Sequence, residues 1–343
     1  MLTNLLRPWV LARLSSGFAV LMLCLFGAMV AAKVLRHWRV GASNEGQLAL
    51  ERRAELVAAV VQVALVIAVT DLALTVLTAD RLTHSIRGAM CAWGVFDANP
   101  WGFIALASSA AVAAACALWM VLHRLDLSLA RPTLTRRKFV ALLFLAPLLA
   151  FDLYATAKWA LELDMQVVAS CCSVGLDDAL GSTSTAGGGP RALSGWIALG
   201  AASCASVAGL MTWRRPGTAL AYLTAVLSVL AAVAAIPAIL WVVAPHVYET
   251  PHHLCPFCLL HAEAFGIGWP LFAALFAAAV TGLALGVVES QRAASGETDR
   301  VGAMQRQLGA WTAVGWGLTL VFATAPVIRY ALVTGGASLF GGV

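Results

Sequence analysis

The sequence predicts an all-α, polytopic membrane protein of about eight transmembrane helices, and three observations carry that expectation. Hydrophobic residues make up 61% of the 343-residue chain and charged residues only 11%, against roughly 25% charged in soluble domains. Apolar runs recur at 18–35, 56–77, 102–122, 139–161, 193–211, 219–243, 258–288 and 308–327; about 20 such residues cross a hydrocarbon core. Lys and Arg collect in alternate connections, with 15 of the 22 in 33–53, 124–138, 214–215 and 292–306. Loops rich in Lys and Arg stay cytoplasmic. Both termini, and the segments around Cys91, Cys171 and Cys255, are therefore expected outside. The net charge of +5 follows from this topology, and no basic stripe suggests nucleic acid.

The elements follow in order. The opening "MLTNLLRPWVLARL" before the first run admits two readings, a signal peptide with a basic n-region or a retained span. A retained span is preferred, because the second helix must run outward for the later charges to fit. The second span carries Asp71 and leads to "CAWGVFDANPWGF" at 91–103. There Asn99-Pro100 signals a turn, and Trp93, Phe96 and Trp101 suit an interfacial aromatic belt. The fourth span carries Asp152 and Lys158 and leads to Cys171, Cys172 and the flexible "GSTSTAGGGP". The seventh span, the longest run, follows "PHHLCPFCLLHAE" at 251–263, and "ESQRAASGETDR" reads as a cytoplasmic connection to the eighth.

Sliding the chain by 81 residues aligns "DLALT" at 71–75 with "DLYAT" at 152–156, and "CAWGVFD" at 91–97 with "CSVGLDD" at 172–178. The pattern suggests a unit used twice: an outward-running helix with an acid in its outer half, then a loop opened by cysteine. Ionisable groups inside a membrane are expensive and point to function by default. Asp71, Asp152, Lys158 and Glu263 qualify, although Lys158 also fits a side chain snorkelling to the interface.

Of the eight cysteines, Cys24, Cys116 and Cys204 fall mid-span, where a thiol behaves as a small hydrophobe. Cys91, Cys171, Cys172, Cys255 and Cys258 all map to the outer side, where an oxidising compartment permits disulfide chemistry. Cys255 is expected to open a helix with Pro256 as its first residue. The positive end of that helix dipole would favour a thiolate at Cys255, the species that attacks disulfides. Cys258, one turn deeper, would be its resolving partner. Metal is the competing use of this segment, since His252, His253, Cys255, Cys258 and His261 offer ligands suited to zinc or copper. One C-x-x-C supplies only half of a thiolate site, however, and no metal is expected.

"LCPFCLLHAEAFGIGWPLF" resembles the last-helix redox motif of the bacterial vitamin K epoxide reductase family, disulfide-forming membrane oxidoreductases built on a four-helix bundle. "FDLYATAKWALELD" followed by "CCSVG" is similar to that family's first helix and cysteine-bearing loop, and "PRALSGWIALGAASC" resembles its second helix. The likeness covers about 139–288. It implies three regions: an N-terminal membrane region at 1–138, the four-helix bundle at 139–288, and a connection with a final helix at 289–343. It implies that Cys258 faces a quinone, ubiquinone or menaquinone, while Cys255 exchanges with a loop cysteine. Asp152, Tyr154, Phe257, His261 and Glu263 are expected to border the quinone, and Ser182 or Ser184 stands where the family has a loop hydroxyl.

The family's loop cysteines are separated by several residues, whereas Cys171 and Cys172 are adjacent, so Cys91 is a candidate for the missing partner. No thioredoxin-like domain is fused, which implies a separate extracytoplasmic thiol protein as electron donor. The expected activity is transfer of electrons from protein thiols through a loop cysteine and the Cys255–Cys258 pair to a quinone, in a bacterial inner membrane. A metal-handling membrane protein and a non-catalytic subunit of a larger membrane complex are the alternatives.

Overall fold

The computed structural model describes residues 2–38, 44–86, 88–164, 189–337 and 339. The expectations placed on Cys171, Cys172, Ser182 and Ser184 lie outside the described residues. All regular structure among the described residues is helical. Among the described residues, eight helices are long and apolar enough to cross a bilayer, so the chain is an all-α, multi-pass membrane protein. We number them α1 (Pro8–His37), α2 (Glu45–Leu82), α3 (Trp101–Ser128), α4 (Thr135–Glu162), α5 (Gly189–Arg214), α6 (Thr218–Ala238), α7 (Gly268–Ser290) and α8 (Thr298–Val333). The path of α6 continues through a π turn at Ile239–Val243 and a last turn at Ala244–Tyr248. Pro237 lies in the turn just before that widening, and its missing N–H is a recognised cause of such departures.

Side-chain size is sorted in the way lipid demands. On α6 the buried positions are Ala221, Thr224, Ala225, Ser228, Ala231 and Ala235. Leu223, Val226, Leu230 and Val233 are exposed on its outside. Hydrocarbon is as apolar as leucine, so nothing drives large aliphatic side chains inward; small residues at helix contacts let backbones approach. Hydroxyls at these contacts are bonded. Thr212 and Thr224 share a hydrogen bond of 3.0 Å, and Trp316 Nε1 donates to Ser228 Oγ at 3.1 Å.

The chain divides into two compact units, each with four of the spanning helices. The first is Met1–Ala169 with Gln291–Arg300, and the second is Ser170–Ser290 with Val301–Val343. This differs from the three regions suggested by the sequence. Helix α4 belongs with α1 to α3 because its bonds run that way: Arg13 Nη2 to Asp152 Oδ2 at 2.5 Å, Trp119 Nε1 to the Lys138 carbonyl at 2.8 Å, and Asn99 Nδ2 to the Trp159 carbonyl at 3.0 Å. Helix α8 is no appendage either. Ser206 Oγ of α5 donates to the Ala313 carbonyl at 3.0 Å, and Thr312 Oγ1 bonds Thr281 Oγ1 of α7 at 3.1 Å.

Within the first unit, α1 is a full member of the bundle. Val20 and Cys24 of α1 join one buried cluster with Val57, Val61 and Leu65 of α2, Cys116 and Trp119 of α3, and Phe139 and Leu142 of α4. The corner between α3 and α4 is tied by a single carboxylate. Asp126 accepts from Leu134 N at 3.0 Å, from Thr135 Oγ1 at 3.0 Å and from Lys138 Nζ at 2.6 Å. Leu134, in the N-cap position of α4, offers no side-chain acceptor. Asp126 thus supplies from α3 the cap that free N–H groups at a helix start require.

Candidate functional site: a buried cysteine pair beside an apolar cavity

The connection from α6 to α7 is where the C-P-F-C segment falls. Glu249 ends the α6 path in the left-handed region at φ 53°. The Pro251 carbonyl is then held by Arg191 Nη1 of α5 at 2.9 Å. Two short 3₁₀ turns follow at Cys258–Leu260 and Ala262–Ala264. Phe265 and Gly266 both take positive φ, at 54° and 61°, before α7 begins at Gly268.

This corrects the expectation that Cys255 opens a long helix with Pro256 at its first position. The carbonyls here bond at 3₁₀ spacing or to side chains: Phe257 O with Leu260 N at 3.0 Å, and Cys258 O with His261 N at 3.0 Å. Tyr248 Oη donates to the Cys258 carbonyl at 2.8 Å, and Trp269 Nε1 donates to the Leu260 carbonyl at 3.1 Å. These side chains from α6 and α7 fix the segment in a tighter path than an α-helix. The partial positive charge of a helix N-terminus therefore sits at Gly268, past the cysteines, and gives no basis for a dipole-activated Cys255.

Both thiols are inside. Cys255 is 0% and Cys258 8% exposed, and their Sγ atoms lie within 4.8 Å of each other. The pair is therefore close enough for modest side-chain movement to bring it to bonding distance, about 2.05 Å. Leu259, fully buried and next in sequence to Cys258, seats against the first turn of α7. A Cβ on Gly268 would come within 2.8 Å of the Leu259 carbonyl carbon, so only glycine admits this approach.

Leu259 shares one apolar cluster with Ile239, Val243 and Leu271. Those three residues also line a half-open cavity of about 430 Å³ between α5, α6, α7 and α8. Its volume is in the range of small-molecule sites, roughly 300–1,000 Å³. Trp196 and Trp316 line it from α5 and α8, and its polar groups are few: His246, Thr319 and Thr324. The two threonines bond carbonyls of their own helix at 2.9 and 2.7 Å. His246 Nδ1 lies 2.6 Å from the Val242 carbonyl, and its ring meets Tyr330 edge-on at 5.5 Å. The cavity can hold a flat apolar molecule with one or two polar atoms, its wall continuous with the residue next to Cys258.

The residues expected to border a quinone are distributed differently. Asp152 and Tyr154 belong to the first unit, and Phe257, His261 and Glu263 to the second; none of the five lines the cavity. Asp152 is buried with its carboxylate occupied by Arg13, Ser108 and Ser109. Tyr154 is exposed, its ring edge-on to Trp101 at 5.4 Å. Phe257 and His261 are half-buried, while Glu263 is exposed in the second 3₁₀ turn and precedes the span it was assigned to. Cys91 is buried in the first unit, in the N-cap position of the short helix Ala92–Asp97. Lys158 pairs with exposed Glu162 one turn on and lies over the Trp101 ring, an interfacial arrangement. Phe96 is no belt residue; it is fully buried and packs on Trp159 at 5.2 Å between ring centroids.

Sequence reasoning passed over Arg13, His246 and Trp316. His246 carried a readable signal, an ionisable residue near the end of an apolar run. Arg13 carried none, because a basic residue ahead of a first apolar run reads as its flank. Yet the two aspartates matched by the 81-residue offset, Asp71 and Asp152, converge on its guanidinium. Comparison of the chain with protein families, with curated proteins and with solved structures finds no match.

Proposed function

We propose that the protein is a membrane thiol–disulfide oxidoreductase that passes electrons from extracytoplasmic protein thiols to a quinone. The observation that carries this reading is the pair of buried sulfurs at one end of a four-helix unit, next in sequence to Leu259, whose apolar cluster includes residues that line a cavity. The resemblance of the C-P-F-C segment to the vitamin K epoxide reductase family supports it. We assign the cysteines to the extracytoplasmic side of a bacterial inner membrane, because the Arg-rich ends of α5 and α8 are expected to be cytoplasmic.

In the reaction, a loop cysteine delivers the electrons of a thioredoxin-like partner to the oxidised Cys255–Cys258 pair by thiol–disulfide exchange. The partner leaves as a disulfide and the pair as two thiols. Re-forming the Cys255–Cys258 bond then releases two electrons and two protons, and a quinone takes up two of each to become a quinol. Cys258, the less enclosed of the two, is the cysteine assigned to the quinone, and Cys255 the one assigned to exchange. The cavity offers the ring an apolar seat.

The test is turnover by the purified full chain supplied with a reduced thioredoxin-like protein and a soluble ubiquinone or menaquinone analogue. Quinone reduction is expected from the wild type and should vanish in Cys258→Ala and Cys255→Ala. Turnover surviving in either variant would refute the electron route. Stoichiometric bound zinc or copper, lost in Cys255→Ser, would replace it with a metal-handling role.

A further inference from the structure

The first unit carries a second, independent site. Arg13 of α1 is 1% exposed at the centre of the four helices. Its Nε donates to Thr75 Oγ1 of α2 at 2.7 Å, and its Nη2 to Ser109 Oγ of α3 at 3.1 Å and to Asp152 Oδ2 of α4 at 2.5 Å. The other oxygen of Asp152 accepts from Ser108 Oγ at 2.8 Å and Ser109 Oγ at 2.7 Å. Both oxygens of Asp152 are thus paired.

Asp71 Oδ2 lies 3.6 Å from Arg13 Nη1, beyond hydrogen-bond length, and Nη1 is a buried donor with no hydrogen-bond partner. Gly17 gives that nitrogen its space, since a Cβ there would stand 2.7 Å from it. The charges acting on Asp71 are those of Arg13 and Asp152, and Cys116 of α3 feels both carboxylates and Cys24 of α1. With both acids ionised, the membrane interior would hold an unbalanced negative charge, which is costly there.

The hydroxyl of Ser16 is placed to share a proton with Asp71. It lies 3.0 Å from the Arg13 carbonyl and 2.8 Å from Asp71 Oδ1, just as Ser108 lies 3.0 Å from the Ala105 carbonyl and 2.8 Å from Asp152 Oδ1. The guanidinium is what separates the two acids, at 2.5 Å from Asp152 Oδ2 and 3.6 Å from Asp71 Oδ2. A hydrogen on Asp71 Oδ1 would be given to Ser16, whose own single hydrogen would then go to the carbonyl. The same hydrogen balances the cluster and leaves Nη1 with no anion to close upon.

We propose that this cluster is an intramembrane proton-binding site, in which Asp71 holds and releases the proton and Asp152 is the permanent counter-ion of Arg13. The ligand is the proton itself. Ser16, half-buried on α1, is the hydroxyl through which it passes, and ionised Asp71 draws Nη1 across the gap. The proposal is independent of the cysteine chemistry of the second unit, and either can fail alone.

Infrared spectroscopy of the full chain in lipid nanodiscs at neutral pH tests it. The wild type should show the C=O stretch of one protonated carboxyl that is absent from Asp71→Asn and shifts in D2O. The charge count makes a sharper demand on Asp152→Asn: with one carboxylate left to balance Arg13, Asp71 ionises and the band disappears there too. Arg13→Gln, if it folds, gains a second protonated carboxyl. Identical spectra from wild type and Asp71→Asn would overturn the proposal, as would a full-strength band in Asp152→Asn. Loss of the wild-type band when choline salts are replaced by sodium would make the ligand a metal cation and overturn it equally.

Discussion

Replacing Asp126 by alanine removes three interactions at once, and their values can be separated. The Asp126 carboxylate and the Lys138 ammonium are buried 2.6 Å apart. Removing one member of such a pair strands the other charge and costs about 3–5 kcal/mol. Asp126 also caps α4 through Leu134 N and Thr135 Oγ1, a role worth about 0.5–2 kcal/mol. Lys138→Met strands the carboxylate but leaves the cap. Asp126→Ala is therefore expected to cost more than Lys138→Met, by roughly the value of the cap. The double variant leaves no charge stranded, so it should lie well below the sum of the singles, with a coupling of about 0.5–3 kcal/mol. The measurement is reversible unfolding in mixed micelles with increasing SDS, followed by far-UV circular dichroism on all four proteins. Additive single effects would refute the claim that the pair is a coupled buried unit. A cost for Asp126→Ala no greater than that for Lys138→Met would refute the capping role.

Two further outcomes probe the site and the surface. Ala198→Trp narrows the cavity of the second unit from a half-buried position on its lining; it should raise the KM for quinone roughly tenfold, the factor that about 1.4 kcal/mol of lost binding produces. In that variant the Cys255–Cys258 midpoint potential should stay unchanged when titrated against a dithiol buffer. Lys158→Ala should leave SDS unfolding indistinguishable from wild type, because its pair with Glu162 is exposed and solvated pairs contribute little.

The eight spans were legible because hydrocarbon imposes a length and a polarity that no tertiary contact overrides. Their ends were less so. Helix α2 begins at Glu45, eleven residues before the expected run at 56, because a charged segment such as "EGQLALERRAE" is invisible to a search for apolar residues. The place of the C-P-F-C segment between the sixth and seventh spans was readable, but its conformation was not. Pro256 signals a helix start, and the competing bonds from Tyr248 and Trp269 come from residues whose proximity a local pattern does not encode. Grouping α4 with the helices after it failed for the same reason, since Arg13 and Asp152 meet across 139 residues. The offset repeat did pair Asp71 with Asp152, without revealing the cation between them, which bonds Asp152 and stands 3.6 Å from Asp71.

The position of Arg13 has a consequence for biosynthesis. Its first hydroxyl partner, Thr75, is made 62 residues later, and its tightest counter-ion, Asp152, 139 residues later. Until α4 leaves the ribosome, α1 is a poor candidate for free residence in lipid, because its guanidinium has no full set of acceptors. Helix α1 should linger at the insertion machinery and enter the bilayer together with its three neighbours, so that a chain cut short after α3 is released late or is degraded.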